Sequence, residues 1–295
     1  MLEHLTPSPV PPTRVVVIGG KGFVGSEIAS RLEKDGVPIL RLTRQDVDLL
    51  SQDADKKLAS LLRDGDSVVA VSAIAPCKTP QMLKDNVTLS IAIMTALRSI
   101  VPSHVVNISS DAVYADLPIP LTEETPKAPN SYHGIMHLAR EIILQNEISA
   151  PLAILRPTLI YGDRDPHNGY GPNQFRRKAH ANEHIVLFGE GEERRDHIAV
   201  DDVAELVRRV LYRRSVGSLN LATGEVSSFR NLAELVVRLS GRTVEIKCSP
   251  RTGPMPHNGF RPFDITACRR AFPDFTFKKL ADGLAEAQKR EFPNG

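Results

Sequence analysis

From Arg14 onward the apolar residues follow two alternating rhythms. Unbroken runs of strand length, "RVVVIG" (14–19), "VPILRL" (37–42), "DSVVAVSA" (66–73), "HVVNIS" (104–109) and "LAILRP" (152–157), alternate with helically spaced segments at 23–35, 54–63, 81–99 and 132–149. Strands with no polar face, joined by helices, predict an α/β fold: a doubly wound parallel sheet covered on both sides over 14–160. Beyond Arg156 the order loosens, and "YGDRDPHNGYGP" (161–172) is too rich in Gly, Pro, Asp and Asn for regular structure. A smaller C-terminal substrate-binding region is expected from 161–191 and 225–295, with the chain returning to the main sheet at about 192–224. A cleft between the two is the natural place for a ligand. The start, "MLEHLTPSPVPP", carries four prolines and no apolar stretch. Residues 1–13 are therefore expected to form a flexible tail rather than a helix or a signal peptide.

Composition narrows the partners. With 295 residues, 41% of them hydrophobic, the chain can bury a full core. A formal charge of +2 is too balanced to make nucleic acid or a membrane surface the main partner. Cys77, Cys248 and Cys268 stand far apart, outside any CxxC arrangement, and read as free thiols in a reducing, cytoplasmic setting. No apolar run approaches the ~20 residues of a membrane-spanning helix.

Candidate chemistry begins at "VVVIGGKGFVG" (15–25). Gly19, Gly22 and Gly25 follow the first strand directly and lead into the first helix, where absent Cβ atoms let a pyrophosphate approach the helix N-terminus. The second strand ends without an acidic residue for a ribose 2′-hydroxyl and offers Arg41 and Arg44 instead, which leans toward NADP over NAD.

Three further stretches join the glycine loop: "NISSDAVY" (107–114), "NSYHGIM" (130–136) and "GEGEERRDHIAVDDVA" (189–204). Together they resemble the extended short-chain dehydrogenase/reductase family, in its nucleotide-sugar epimerase, dehydratase and 4-keto-reductase branch, over about 14–290. The resemblance implies a Rossmann fold, an NADP or NAD cofactor, a nucleotide-sugar substrate and a homodimer. It implies Ser110 as the catalytic hydroxyl and Tyr132 as the acid/base. It also implies a cofactor lined by Gly19, Gly22, Phe23, Val24, Gly25, Arg44, Asp48, Ala73, Asn86 and Tyr132, and a substrate held by Asn173 and Arg195. These residue types suit the reaction: a hydride can leave a sugar carbon only if its oxygen releases a proton, and an arginine fork fits phosphate oxygens.

One departure stands out. The family pattern is YxxxK, and here Met136 follows Tyr132 at that spacing. His137 lies one residue further, about 100° round the helix, and His133 is turned from Tyr132 by the same angle. The rival expectation is therefore a silent dinucleotide-binding sensor or scaffold. His133 with His137, and His180 with His184, have the i,i+4 spacing of metal ligands, but neither pair has a third ligand or the glutamate of HExxH, so no metal is expected. "QFRRKAH" (174–180) reads as a basic rim for an anionic substrate rather than a nucleic-acid patch.

Overall fold

A computed structural model describes residues 2–293. In chain order the first half comprises β1 (Glu3–His4), β2 (Val15–Ile18), α1 (Phe23–Glu33), β3 (Ile39–Leu42), α2 (Ala54–Leu61), β4 (Ser67–Ala70), α3 (Pro80–Arg98), β5 (His104–Ile108), α4 (Tyr132–Glu147) and β6 (Leu152–Pro157). The second half comprises β7 (Leu159–Tyr161), α5 (Pro172–His180), β8 (Ile185–Phe188), β9 (Arg194–Ala199), α6 (Val200–Tyr212), β10 (Ser215–Leu221), β11 (Val226–Ser228), α7 (Phe229–Ser240), β12 (Ile246–Ser249), β13 (Phe260–Arg261), α8 (Thr266–Ala271) and α9 (Leu280–Glu291).

The main sheet runs β1-β10-β6-β5-β4-β2-β3, parallel except for β1. Its strands alternate their side chains between two cores. Val15 and Val17 meet α1 and α6 residues such as Ile28, Leu32, Leu206 and Val210, while Val16 and Ile18 meet Leu58 of α2 and Ile93 and Leu97 of α3. Burial on both faces is why the strand sequences carry no polar alternation.

Two boundaries differ from the sequence expectation. The N-terminal stretch is not a loose tail: β1 pairs antiparallel with β10, and His4 bonds Ser215 (2.7 Å) and the Ala271 carbonyl (2.9 Å). The prolines come after this anchor and exclude a helix, not an edge pairing. Nor does the chain return to the main sheet at Arg194. β9 belongs to a small second sheet with β7, β11 and β13, and the return is made by α6, packed on α1, and by β10 beside β6. α8, expected in the outer region, packs against β10 of the main sheet.

The three cysteines form no disulfide. Among the described residues, no helix is long and apolar enough to cross a membrane.

Candidate active site

A cavity of about 1000 Å³ runs along the carboxyl ends of the main-sheet strands toward the small sheet. Gly19, Lys21, Gly22, Phe23 and Val24 line its start. Gly19 takes φ +92°, and a Cβ on Gly25 would lie 2.2 Å from the Gly19 carbonyl oxygen, so only glycines allow this turn. Gly22 is the N-cap of α1 and supplies no side-chain cap, which leaves first-turn amides of the helix free of that partner. An open glycine turn aimed along a helix N-terminus fits a pyrophosphate.

At one end lie Thr43, Arg44, Asp48 and Leu49. The Arg44 side chain is 80% exposed and only loosely paired with Asp48, at 3.3 Å. Arg41, the other basic residue of this strand, is spent elsewhere, with its guanidinium on Glu33 and Ser30. Ala73 lines the middle of the cavity, as expected. Asn86 does not line it. Its buried amide accepts from the Ile74 N–H (2.9 Å) and donates to the Ile74 and Met82 carbonyls, so Asn86 holds the 72–76 loop in place rather than facing a ligand.

The centre of the cavity is built by β5 and α4. Ser110 follows β5 and caps a 3-10 turn, Asp111–Val113, its Oγ accepting from the Ala112 N–H at 3.1 Å. α4 is fixed against the sheet by Glu141, whose carboxylate accepts from Ser109 Oγ (2.6 Å) and from two guanidinium nitrogens of Arg156 (both 2.8 Å). The pair is wholly buried and fully bonded, so it sets the helix's rotation as well as its position. At the N-terminus, Ser131 caps Gly134, and Gly134 packs on the turn that bears Ser110.

That rotation overturns the expectation for Tyr132. Tyr132 is 42% exposed and outside the cavity; Met136 is buried but does not line it either. The two histidines expected to face away, His133 and His137, both do line it. Their rings meet edge to face, with centroids 4.8 Å apart. Burial pushes both imidazoles below the usual histidine range; Asp111 partly opposes this at His133, whereas His133 and Arg140 reinforce it at His137. Of the other histidine pair, His180 stacks on Phe292 at 3.8 Å.

The far end gathers charge. Arg195 lines the cavity and touches Glu193 at 3.1 Å. Burial lowers the Arg195 pKa, with Asp111 and Glu193 opposing. Burial alone would raise the Asp111 carboxyl, but Arg261 and Arg195 outweigh it and the net shift is downward. Arg261 donates to Asp111 (2.8 Å) and to Asp116 (2.5 Å), which also meets the cavity-lining His257. Asn173 is at the wall as expected, yet its amide is engaged with Gly162 and Asp165, so it shapes the loop as much as the surface. Sequence reasoning missed Lys21, His133, His137, His257 and Arg261. Only His133 and His137 carried a signal, an i,i+4 spacing shifted by one residue from YxxxK.

The comparisons agree with this fold. A curated relative, the dTDP-4-dehydro-6-deoxy-D-allose reductase of Streptomyces bikiniensis, is 24% identical over 93% of this chain and 95% of its own. The UDP-glucose 4-epimerase of Thermus thermophilus, solved in complex with NAD, superposes with a TM-score of 0.82 at 22% identity, covering 96% of this chain and 99% of that one. A GDP-L-fucose synthetase from Naegleria fowleri bound to NADP gives 0.83 at 18% identity, covering 99% and 97%. Residues 15–222, from β2 through β10, match the NAD dependent epimerase/dehydratase family, and the chain belongs to that family.

Proposed function

We propose that this protein moves a hydride to or from a carbinol carbon of a sugar carried on a nucleoside diphosphate, with NAD or NADP as the hydride carrier. One observation carries the reading: a single cavity joins the open glycine turn of α1, the Ser110 hydroxyl and the buried Arg195. A bound nicotinamide would supply the hydride chemistry. Gly19, Gly22, Phe23 and Val24 would hold its pyrophosphate, and Ser110 would hydrogen-bond the sugar oxygen. Arg195 has one partner in direct contact and is desolvated, so a diphosphate would meet a poorly satisfied fork. The relatives named above act, by their names, on dTDP-, UDP- and GDP-linked sugars, which supports the class without choosing the base.

The rival, a silent dinucleotide-binding protein, drew its support from Met136. Neither Met136 nor Tyr132, the residue it follows at i+4, lines the cavity, so Met136 bears on neither reading, and turnover of a nucleotide-sugar is what separates the two.

Native mass spectrometry of the purified protein, with calorimetric titration of UDP, GDP and dTDP, tests the reading. Arg195→Met is expected to weaken the bound nucleoside diphosphate at least tenfold and leave NAD and NADP affinity unchanged. A wild type that binds no nucleoside diphosphate would remove the substrate class.

A further inference from the structure

We propose that His133 exchanges the proton of the reacting hydroxyl, with His137 one helical turn on as its positioning partner, so that HxxxH takes the place of YxxxK. The inference rests on the dinucleotide-dependent reading above and names the acid/base that the reading lacks.

Three geometric observations carry it. His133 and His137 line the cavity that holds Ser110, while Tyr132 and Met136 do not. The helix reaches the Ser110 turn through a glycine: a Cβ on Gly134 would lie 2.2 Å from the Ala112 carbonyl oxygen, so the residue just before it is brought against that turn. His137 is 6% exposed, and its Nδ1 is buried with no protein partner. A buried, unpaired ring nitrogen at a cavity wall costs stability unless something in the cavity engages it. Nδ1 of His133 accepts a long hydrogen bond from the Cys77 backbone N–H, 3.5 Å between the nitrogens, at the weak end of the range and readily exchanged for a hydroxyl in the cavity. Among the described residues, no group of three or more His, Cys, Asp and Glu could hold a metal ion, so the pair is not part of such a cluster.

The chemistry accounts for the missing lysine. A tyrosine, with a reference pKa of ~10, needs a neighbouring cation to become a base near neutrality, whereas an imidazole, at ~6.5, is already unprotonated there. A lysine beside it would only weaken it. Asp111 from the 3-10 turn favours charge on His133, and Arg140 on the same helix disfavours it on His137. In the oxidative direction the hydroxyl O–H bond breaks and an N–H bond forms on His133. The C–H electron pair leaves as hydride to the oxidised nicotinamide, and the carbon becomes a carbonyl. Asp111 stabilises the resulting imidazolium, and reduction reverses each bond change.

The test uses the full chain with 13C-labelled histidine, following each Cε1–H signal by NMR against pH and against added NAD or NADP. Signals are assigned with His133→Gln and His137→Gln. The His133 and His137 signals are expected to titrate below pH 6.5 and to shift on cofactor addition, while that of His104, outside the cavity, stays still. With UDP-, dTDP- and GDP-hexoses as probes, His133→Gln is expected to lower kcat about 100-fold or more with cofactor Kd unchanged. Tyr132→Phe should stay within twofold of wild type. His133→Tyr/His137→Lys should recover part of the activity lost in His133→Gln, with its pH midpoint moved upward. If His133→Gln misfolds by circular dichroism, His133→Asn replaces it. Cofactor that binds without moving the His133 signal, or a Tyr132→Phe variant that is inactive, overturns the proposal alone. Failure of wild type to bind either dinucleotide overturns the reading beneath it as well.

Discussion

A Cβ atom on Gly134 would sit 2.2 Å from the carbonyl oxygen of Ala112, closer than any side chain can approach a backbone oxygen without one of them moving. Two effects compete on substitution. Alanine is the better helix former by about 1 kcal/mol, and overpacking against backbone costs about 1–3 kcal/mol. The backbone oxygen cannot swing aside as a flexible side chain would, so the clash should win. Gly134→Ala is expected to lose stability in urea unfolding and to weaken NAD binding. A variant more stable than wild type would show that α4 is not held against the Ser110 turn.

The two glycines after β2 should fail in different ways. Gly25→Ala drives a methyl to 2.2 Å from the Gly19 carbonyl oxygen, so the loop must shift and the fold should suffer. Gly22 has an extended backbone, and beyond its chain neighbours a Cβ there would meet only the Gly19 carbonyl oxygen, at 3.3 Å. Gly22→Val should therefore unfold near the wild-type temperature yet lose at least tenfold in NAD and NADP affinity, because its side chain enters the pyrophosphate path. Calorimetry beside a thermal melt separates the two, and undiminished binding by Gly22→Val would remove the assignment.

Arg44 remains the discriminating residue for a 2′-phosphate, since Arg41 is committed to Glu33. Its contact with Asp48 is long and exposed and costs little to exchange for a phosphate. Arg44→Ala should weaken NADP by about 1.5–3 kcal/mol and leave NAD nearly unchanged. Equal losses for both cofactors would place the 2′-position elsewhere, with Lys21 the next cation along the same wall.

The sheet was legible because Val15–Ile18 and its fellow strands are buried on both faces, which writes burial directly into sequence. The glycine turn was legible because only glycine tolerates its geometry. The face of α4 was not. A shift of one residue turns a helix by about 100°, and the choice between Tyr132 and His133 rests on two distant contacts. One is Glu141 with Arg156, 15 residues on; the other is Gly134 against Ala112. Neither leaves a periodic trace. For the same reason β9 could be read as a strand but not assigned to a sheet, because its partners β11 and β13 come later in the chain.

A last prediction concerns acid stability. His104 is fully buried at the start of β5, with Nε2 bonded to the Ser215 carbonyl at 2.7 Å and Nδ1 unpartnered. Burial pushes its pKa down to about 4, against ~6.5 in the unfolded chain. Between these values the unfolded chain binds a proton that the folded protein refuses, so stability falls as pH drops through that window. The slope approaches ~1.4 kcal/mol per pH unit, about 3 kcal/mol in all. His197, lowered to about 3 by burial and Arg195, acts in the same sense. Asp196, which burial raises to about 6, acts in the opposite sense, because its folded form keeps a proton that the unfolded chain releases. Total acid sensitivity therefore cannot identify one group, but the difference between wild type and His104→Gln can. Glutamine keeps a donor for Ser215 and has nothing to titrate. Urea unfolding at intervals from pH 8 to 4.5 should show the stability gap between the two proteins closing as pH falls below 6.5, in favour of the variant. Parallel curves across that range would mean that His104 is protonated in the folded state or that its site opens before the rest of the sheet.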